Sequence, residues 1–206
     1  MTHPRAALFD RLASLGIATT TVPYPAHSTV EEGKMLRGAM AGQFTKNLLL
    51  KDKKGRLFVL VADEDRDIDL KRLHLAVGAQ GRLGFAAAEL MHDVLGVAPG
   101  ALTPLSLLAD TSCQVTAVLD ASLMQAGQLN FHPLVNTEST GIAPGDLLSF
   151  LRSTGHEPLI IDLPVPAEAL VSVPEHVESR ESVVIRWCIV ASQEAADVDH
   201  REPRPL

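Results

Sequence analysis

Lys46 is the residue of this 206-residue chain whose setting first suggests chemistry. It precedes an apolar run, Leu48 to Leu50, and an ammonium at the edge of a hydrophobic sheet meets an anion with little screening. The same residue reads equally well as a solvated strand-end lysine, the commoner fate of that residue type. Thr45 and Asn47 flank it with a hydroxyl and an amide. Asn130 and His132 form a second group. At alternate positions of one strand they share a face, where they either line a pocket together or are satisfied by backbone groups. A third candidate is the segment 97–104, because Pro99, Gly100 and Pro104 preclude regular structure and hold a defined loop of the kind that often carries function.

Other chemistries find little support. The eight histidines show neither His-x-x-x-His nor His-Glu-x-x-His spacing, so no metal is expected. Gly78, Gly81 and Gly84 compose neither a P-loop nor a dinucleotide fingerprint, so no cofactor is expected either. Cys113 and His132 can be drawn as nucleophile and base, yet nothing in their spacing makes them neighbours. Cys113 and Cys188 lack a Cys-x-x-Cys arrangement and read as small buried apolar residues.

The elements that must position these groups follow from periodicity and punctuation. Leu48–Leu50 and Leu57–Val61 flank the polar tetrad Asp52–Gly55, which reads as a hairpin with Lys46 at its mouth. Residues 4–15 have the apolar spacing of a helix stopped by Gly16, and Thr19 to Tyr24 is β-prone. Thr29-Val30-Glu31-Glu32 has capping-box form, predicting a helix from Val30 toward Met40. Asp69 caps a helix through Val77, and a second runs from Ala86 to Leu95. Strands are predicted at 115–119, 128–132 and 159–163, with a short helix at 121–125 and a longer one opened by Pro144. Hairpins, long connections and interspersed helices together predict an α+β single domain with a mixed central sheet over residues 1–163. Residues 164–206 form a C-terminal extension, containing a strand-like run at 183–190 and a polar end expected to be disordered. That run is too apolar to stand alone. It adds an edge strand to the domain or buries itself against a partner chain, a route to a homo-oligomer.

Composition bounds the partners. The formal net charge of −7 argues against a generic nucleic-acid coat, which is usually basic. Residues 1–163 hold 14 Lys+Arg against 17 Asp+Glu, and the extension holds 4 against 8. Lys46, Lys51, Lys53, Lys54 and Arg56 are close in sequence, as are Asp63, Glu64, Asp65, Asp67 and Asp69, so the surface is expected to be patchy. No apolar run is long enough to span a bilayer, and the first residues lack the apolar stretch of a signal peptide. A cytoplasmic location and no membrane partner are the expectations.

One ordered set of motifs carries a resemblance. Thr29-Val30-Glu31-Glu32, Thr45-Lys46-Asn47-Leu48 with Lys51-Asp52-Lys53-Lys54-Gly55, Leu95-Gly96-Val97-x-Pro99-Gly100-x-x-Thr103-Pro104, and Asn130-Phe131-His132-Pro133-Leu134 with Asn136 resemble the YbaK/prolyl-tRNA-editing superfamily. More narrowly, the chain is similar to the free-standing ProX-type alanyl-tRNA(Pro) deacylases over residues 4–163.

The resemblance implies a trans-editing hydrolase that removes a small amino acid, alanine foremost, from mischarged tRNA(Pro). Cysteinyl-tRNA(Pro) deacylation and a non-catalytic tRNA-binding or synthetase-associated module are the alternatives. It implies that Lys46 orients the charged 3′ end through phosphate or ester oxygens. Gly100, Ala101, Leu102, Thr103 and Pro104 would present backbone N–H groups and restrict the pocket, with Thr45, Asn47, Asn130 and His132 around the substrate. A ribose hydroxyl of the terminal adenosine would help position the water, and no general base is assigned. Prolyl-tRNA synthetase is implied as a partner. Pocket positions that are apolar in relatives fall on His27 and Ser28, and Phe44 stands where a histidine is common. A more polar pocket would favour serine or threonine, or another small residue, over alanine.

Overall fold

Leu57–Asp63 (β3) is buried from Leu57 to Ala62 in the computed structural model, which describes residues 4–25, 35 and 40–166. Val59 and Val61 point into one apolar core and Phe58, Leu60 and Ala62 into another. A strand covered on both faces needs a continuous apolar run rather than alternation, and Leu57 to Ala62 supplies one. Its hairpin partner is Gln43–Lys51 (β2), in antiparallel register from Thr45↔Asp63 to Lys51↔Leu57.

The remaining strands are Thr20–Pro23 (β1), Gly84–Phe85 (β4), Val115–Asp120 (β5), Leu129–Phe131 (β6), Glu138–Ile142 (β7) and Leu159–Ile161 (β8). The sheet order is β1-β7-β6-β2-β3-β5-β8, with β4 on β2. Pairs β2–β6, β3–β5 and β5–β8 are parallel and the others antiparallel, so the sheet is mixed and the fold α+β, as expected. One core is closed by Pro4–Ser14 (α1) through Leu8 and Leu12, by Ala88–Leu95 (α3) through Leu95, and by Pro144–Ser153 (α4) through Leu147, Phe150 and Leu151. A 3₁₀ turn, Pro104–Leu108, adds Leu105 and Leu107 to that side. Leu70–Ala76 (α2) closes the other core with Leu73, joined by Val77 and Leu163. Asp69 caps α2 by accepting from the N–H groups of Lys71 and Arg72, as its position predicts.

Several expectations change. Both β4 and β7 are absent from the sequence reading, because Gly-Phe is too short and Glu-Ser-Thr-Gly-Ile too polar and small to signal a strand. In β7, Gly141 leaves room for the side-chain amide of Gln128, which occupies the space a Cβ would need. The helix predicted from Ala86 starts at Ala88, and the last strand ends at Ile161. Cys113 is exposed rather than buried, in a turn at φ 52°. Of the helix expected from Val30 toward Met40, only Met35, which is helical, and Met40, which is not, are described; the run at 183–190 lies outside the described residues, as do His27, Ser28 and Cys188. No helix among the described residues is long and apolar enough to cross a membrane.

The hairpin register has one further consequence. Lys46 lies opposite Ala62, while Lys51 lies opposite Leu57 beside the turn. Five residue steps of extended strand, about 17 Å, separate them. The lysines that adjoin in sequence therefore belong to opposite ends of the hairpin.

Candidate functional site

Strand β2 is shared between two groups of strands. Its first residues, Gln43 and Phe44, pair with β6, and its last, Leu50 and Lys51, pair with β4 on the same side. Between them, residues 45–48 have β3 along one edge and, among the described residues, no strand along the other. Thr45, Lys46 and Asn47 stand in this opening. Its floor is rigid: Thr45 Oγ1 donates to Asn130 O at 3.2 Å, fastening β2 to β6 where the two strands part.

Alternation puts Lys46 and Asn47 on opposite faces of β2. Asn47 shares its face with Leu49 and the core that includes Ala101 and Leu102. Its Nδ2 donates to Leu102 O at 3.1 Å, which draws the 97–104 loop against the opening. Its Oδ1 is buried with no hydrogen-bond partner among the described residues. Leaving a buried acceptor unsatisfied costs about 1–3 kcal/mol, so this oxygen is an acceptor in want of a donor.

Lys46 shares its face with Leu48 and Leu50 and is half-buried. Its Nζ donates to the carbonyl oxygen of Arg66. Burial pushes the ammonium below its ordinary pKa of 10.5, while the carboxylates of Asp67, Asp63, Asp65 and Glu64 pull it back up. The loop bearing that carbonyl is itself anchored. Arg66 Nε lies 3.5 Å from the buried Asp120 carboxylate, and its Nη2 donates to Leu163 O at 3.4 Å. Gln43 Nε2 donates to Asp63 Oδ2, and Glu64 N–H to Phe44 O, closing the mouth of the hairpin.

The other predicted residues have defined surroundings. Gly100 is exposed at φ 86°, a conformation that favours glycine. Ala101, Leu102, Thr103 and Pro104 are buried, and Thr103 caps the 3₁₀ turn by accepting from Leu105 N–H. Asn130 is buried; its Nδ2 donates to Ala41 O at 2.9 Å and its Oδ1 accepts from Gln128 Nε2 at 3.1 Å. It therefore holds the entry to β2. His132 Nδ1 lies 3.0 Å from Glu138 O and 3.2 Å from the Tyr24 hydroxyl, which donates to that same carbonyl. A carbonyl only accepts, so a hydrogen bond from the ring to Glu138 O places a proton on Nδ1. Cys113 and His132 are not neighbours: β2 and β3 separate β5 from β6, and Cys113 Sγ contacts Thr154 O.

Sequence reasoning missed Arg66, Asp120 and Tyr24. Only the pairing of β3 with β5 brings Asp120 toward the 63–67 loop, and only β7 brings Glu138 to both Tyr24 and His132. No motif signals either contact.

Residues 24–150 match the family described as the aminoacyl-tRNA editing domain. Over 159 residues the chain is 41% identical to the prolyl-tRNA synthetase associated domain-containing protein 1 of Danio rerio, covering 76% of this chain and 86% of that one. It is 29% identical over 160 residues to the prolyl-tRNA editing protein ProX of Acetoanaerobium sticklandii, covering 77% and 97%. Among solved structures, a candidate trans-editing enzyme for prolyl-tRNA synthetase superposes with a TM-score of 0.61 at 22% identity, over 79% of this chain and 98% of the other, and shows the shared fold.

Proposed function

The chain belongs to the aminoacyl-tRNA editing domain family, and on that premise we propose that it is a trans-acting hydrolase that deacylates tRNA(Pro) bearing a small, wrongly attached amino acid. The observation that carries the reading is the opening in the sheet at residues 45–48. There a half-buried ammonium and a buried amide oxygen with no partner among the described residues stand on adjacent residues.

An aminoacyl ester is already activated, so the site has two tasks: to hold the ester still and to stabilise the oxyanion that forms when water adds to its carbonyl carbon. Collapse of that intermediate breaks the bond to the ribose oxygen, which takes up a proton, and releases the free amino acid. Lys46 suits the anionic oxygens, whether phosphate or developing oxyanion, because a half-buried charge is weakly screened. To reach them it exchanges the Arg66 carbonyl for the ligand. Asn47 Oδ1 suits a donor on the substrate side: the α-ammonium, a ribose hydroxyl or the attacking water. Its orientation is set by the bond from Nδ2 to Leu102 O.

The need for a second site is physical. A synthetase pocket shaped for proline rejects a smaller amino acid by only about 1–3 kcal/mol per missing methylene, whereas a smaller pocket sorts by exclusion. In this reading the loop 97–104, packed against Asn47, sets that size limit.

One relative favours a second reading, an associated non-catalytic module, since it is named for association with prolyl-tRNA synthetase, whereas the other is named for editing. A panel of alanyl-, seryl-, threonyl-, cysteinyl- and prolyl-tRNA(Pro), incubated with wild type and Lys46→Ala, separates them. Hydrolysis of at least one mischarged species, sparing prolyl-tRNA(Pro) and abolished in Lys46→Ala, is expected. Absence of hydrolysis across the panel rejects the enzyme and leaves an associated, non-catalytic module. The panel also decides between alanine and cysteine as the residue removed.

A further inference from the structure

The two ends of the sheet are finished differently. Strand β1 closes one end with Thr20, Thr21, Val22 and Pro23, and a proline beside short polar side chains blunts an edge against further pairing. Strand β8 closes the other with Leu159, Ile160 and Ile161, and among the described residues it pairs only with β5. No charge and no proline lies in those three residues to blunt the edge. Leu159 is 40% exposed and Ile160 41%, although each adjoins a fully buried residue of β5.

Register shows what that exposure means. Leu159 stands beside Val118, which lies in the core closed by α2, and Ile160 stands beside Leu119, which lies in the core closed by α1, α3 and α4. Both cores are therefore open along the outer edge of β8. A strand laid there has apolar neighbours on each of its faces, so it must be apolar at successive positions rather than at alternate ones. Val183-Val184-Ile185-Arg186-Trp187-Cys188-Ile189-Val190 has that composition, with Arg186 as its lone charged side chain. A single charge suits an outermost strand, because it deters pairing on the new edge, and the long stem of arginine carries the guanidinium to water.

The segment is also within reach. Leu163 is buried in the α2 core and its carbonyl accepts from Arg66 Nη2, while Pro164 O accepts from Asp69 N–H at 2.7 Å. The path beyond β8 is thus fixed against the start of α2. Residues 167–182 then precede Val183, sixteen in all. A hairpin return takes about two to five residues and a parallel crossover about a dozen, so sixteen suffice for either. A tether of that length holds the segment near its target at roughly millimolar effective concentration, which favours it over the same segment of a second copy in dilute solution.

We propose that residues 183–190 pair with the free edge of β8 of their own chain, as a further strand that covers Leu159 and Ile160 and closes both cores.

Trp187 is the only tryptophan of the chain, so its emission reports on this segment alone. In the full-length protein the emission is expected to be blue-shifted from that of free tryptophan, weakly quenched by acrylamide, and unchanged over about a hundredfold dilution. Ile160→Lys puts a charge on the edge of β8, and Val184→Pro takes an N–H from the segment. Each is expected to shift the emission to the red and to raise the quenching constant by about threefold or more. Leu75→Lys replaces an apolar side chain 71% exposed on α2, and is expected to leave both readings as in wild type. Amide hydrogen exchange across β3 checks that each variant keeps its fold; where Ile160→Lys loses that protection, Val184→Pro decides, since it lies in the segment itself. A wild-type emission like that of free tryptophan overturns the proposal, as does a signal that Val184→Pro leaves unchanged or an equal red shift in Leu75→Lys. Burial that disappears on dilution, with a dimer seen by sedimentation, also overturns it and assigns the segment to a second copy.

Discussion

The two ends of the β2–β3 hairpin are built from the same kinds of residue and treat polar groups in opposite ways. At the turn, one buried carboxylate, Asp52, accepts three backbone N–H groups and a guanidinium. At the mouth, among the described residues, Asn47 Oδ1 has no partner and Lys46 donates to one carbonyl, with carboxylates around it. A saturated polar inventory makes a rigid corner. An unsaturated one stores interaction free energy that a ligand can collect. The contrast explains why Lys46 is the better candidate for chemistry although the turn holds more cations.

The comparison breaks most visibly at Lys46. Lys46→Ala is expected to slow single-turnover deacylation between about a hundredfold and a thousandfold, the usual effect of removing one preorganised electrostatic group, with circular dichroism unchanged. Lys46→Arg is expected to rescue little, because a planar fork does not replace a compact ammonium in a half-buried setting. If Lys46→Ala keeps full rate, the mouth is not the site.

Asn47 sharpens the same point. Asn47→Ala removes the bond to Leu102 O, with an expected fall in stability of about 1 kcal/mol and a rate lower by roughly tenfold. Asn47→Asp sets a carboxylate oxygen against that carbonyl and is expected to be worse than alanine on both counts. A rate for Asn47→Asp above that of Asn47→Ala contradicts the donor role of Nδ2.

Asp52→Asn tests the rigid end. It removes charge from a carboxyl whose pKa is held well below the ordinary range, chiefly by the Gln80 N–H and then by Arg56 and the Lys54 N–H, against the opposing effect of burial. The melting temperature is expected to fall by several degrees, while the deacylation rate at low temperature stays within about twofold. The wild-type contribution of this carboxylate is complete above the unfolded value near 4, and is lost as pH falls through the depressed native value. The gap between wild type and Asp52→Asn is therefore expected to close in acid. A gap independent of pH from about 2 to about 7 contradicts this assignment.

The smallest effect is expected at Asp67, the foremost of the carboxylates that support the Lys46 charge. Asp67→Asn removes a group that raises the Lys46 pKa, so the alkaline limb of the pH–rate profile moves to lower pH. The rate near neutrality changes by about twofold or less, as for a screened surface charge. A shift to higher pH places Asp67 outside the electrostatics of Lys46.

Local pattern accounts for what was legible. The hairpin was readable because two apolar runs flank a polar tetrad closed by Gly55, and α2 because Asp69 caps it and Gly78 ends it. The mixed α+β architecture followed from the succession of such elements. β7 was not readable, since Ser139, Thr140 and Gly141 have weak strand character and are recruited by pairing on both sides, with β1 and β6. Within the site, the motif at Thr45-Lys46-Asn47 marked the right strand but not its partners. Arg66 O, Asp120, Tyr24 and the carbonyl of Glu138 enter through pairings between residues far apart in sequence, which no short-range pattern encodes.

By itself, then, the sequence determined the hairpin, the helix boundaries set by Asp69, Gly78 and Gly96, and the family motifs on which the functional reading began. These depend on side-chain period, capping and backbone freedom, all of which act over a few residues. Only the tertiary structure decided that β2 parts from β6 before it meets β4, that Lys46 and Asn47 face opposite sides of the strand end with different partners, and that Lys46 is divided from the lysines of the turn. Those facts depend on register and on which distant segments cover each face, and register is set by the whole pattern of burial rather than by any local stretch.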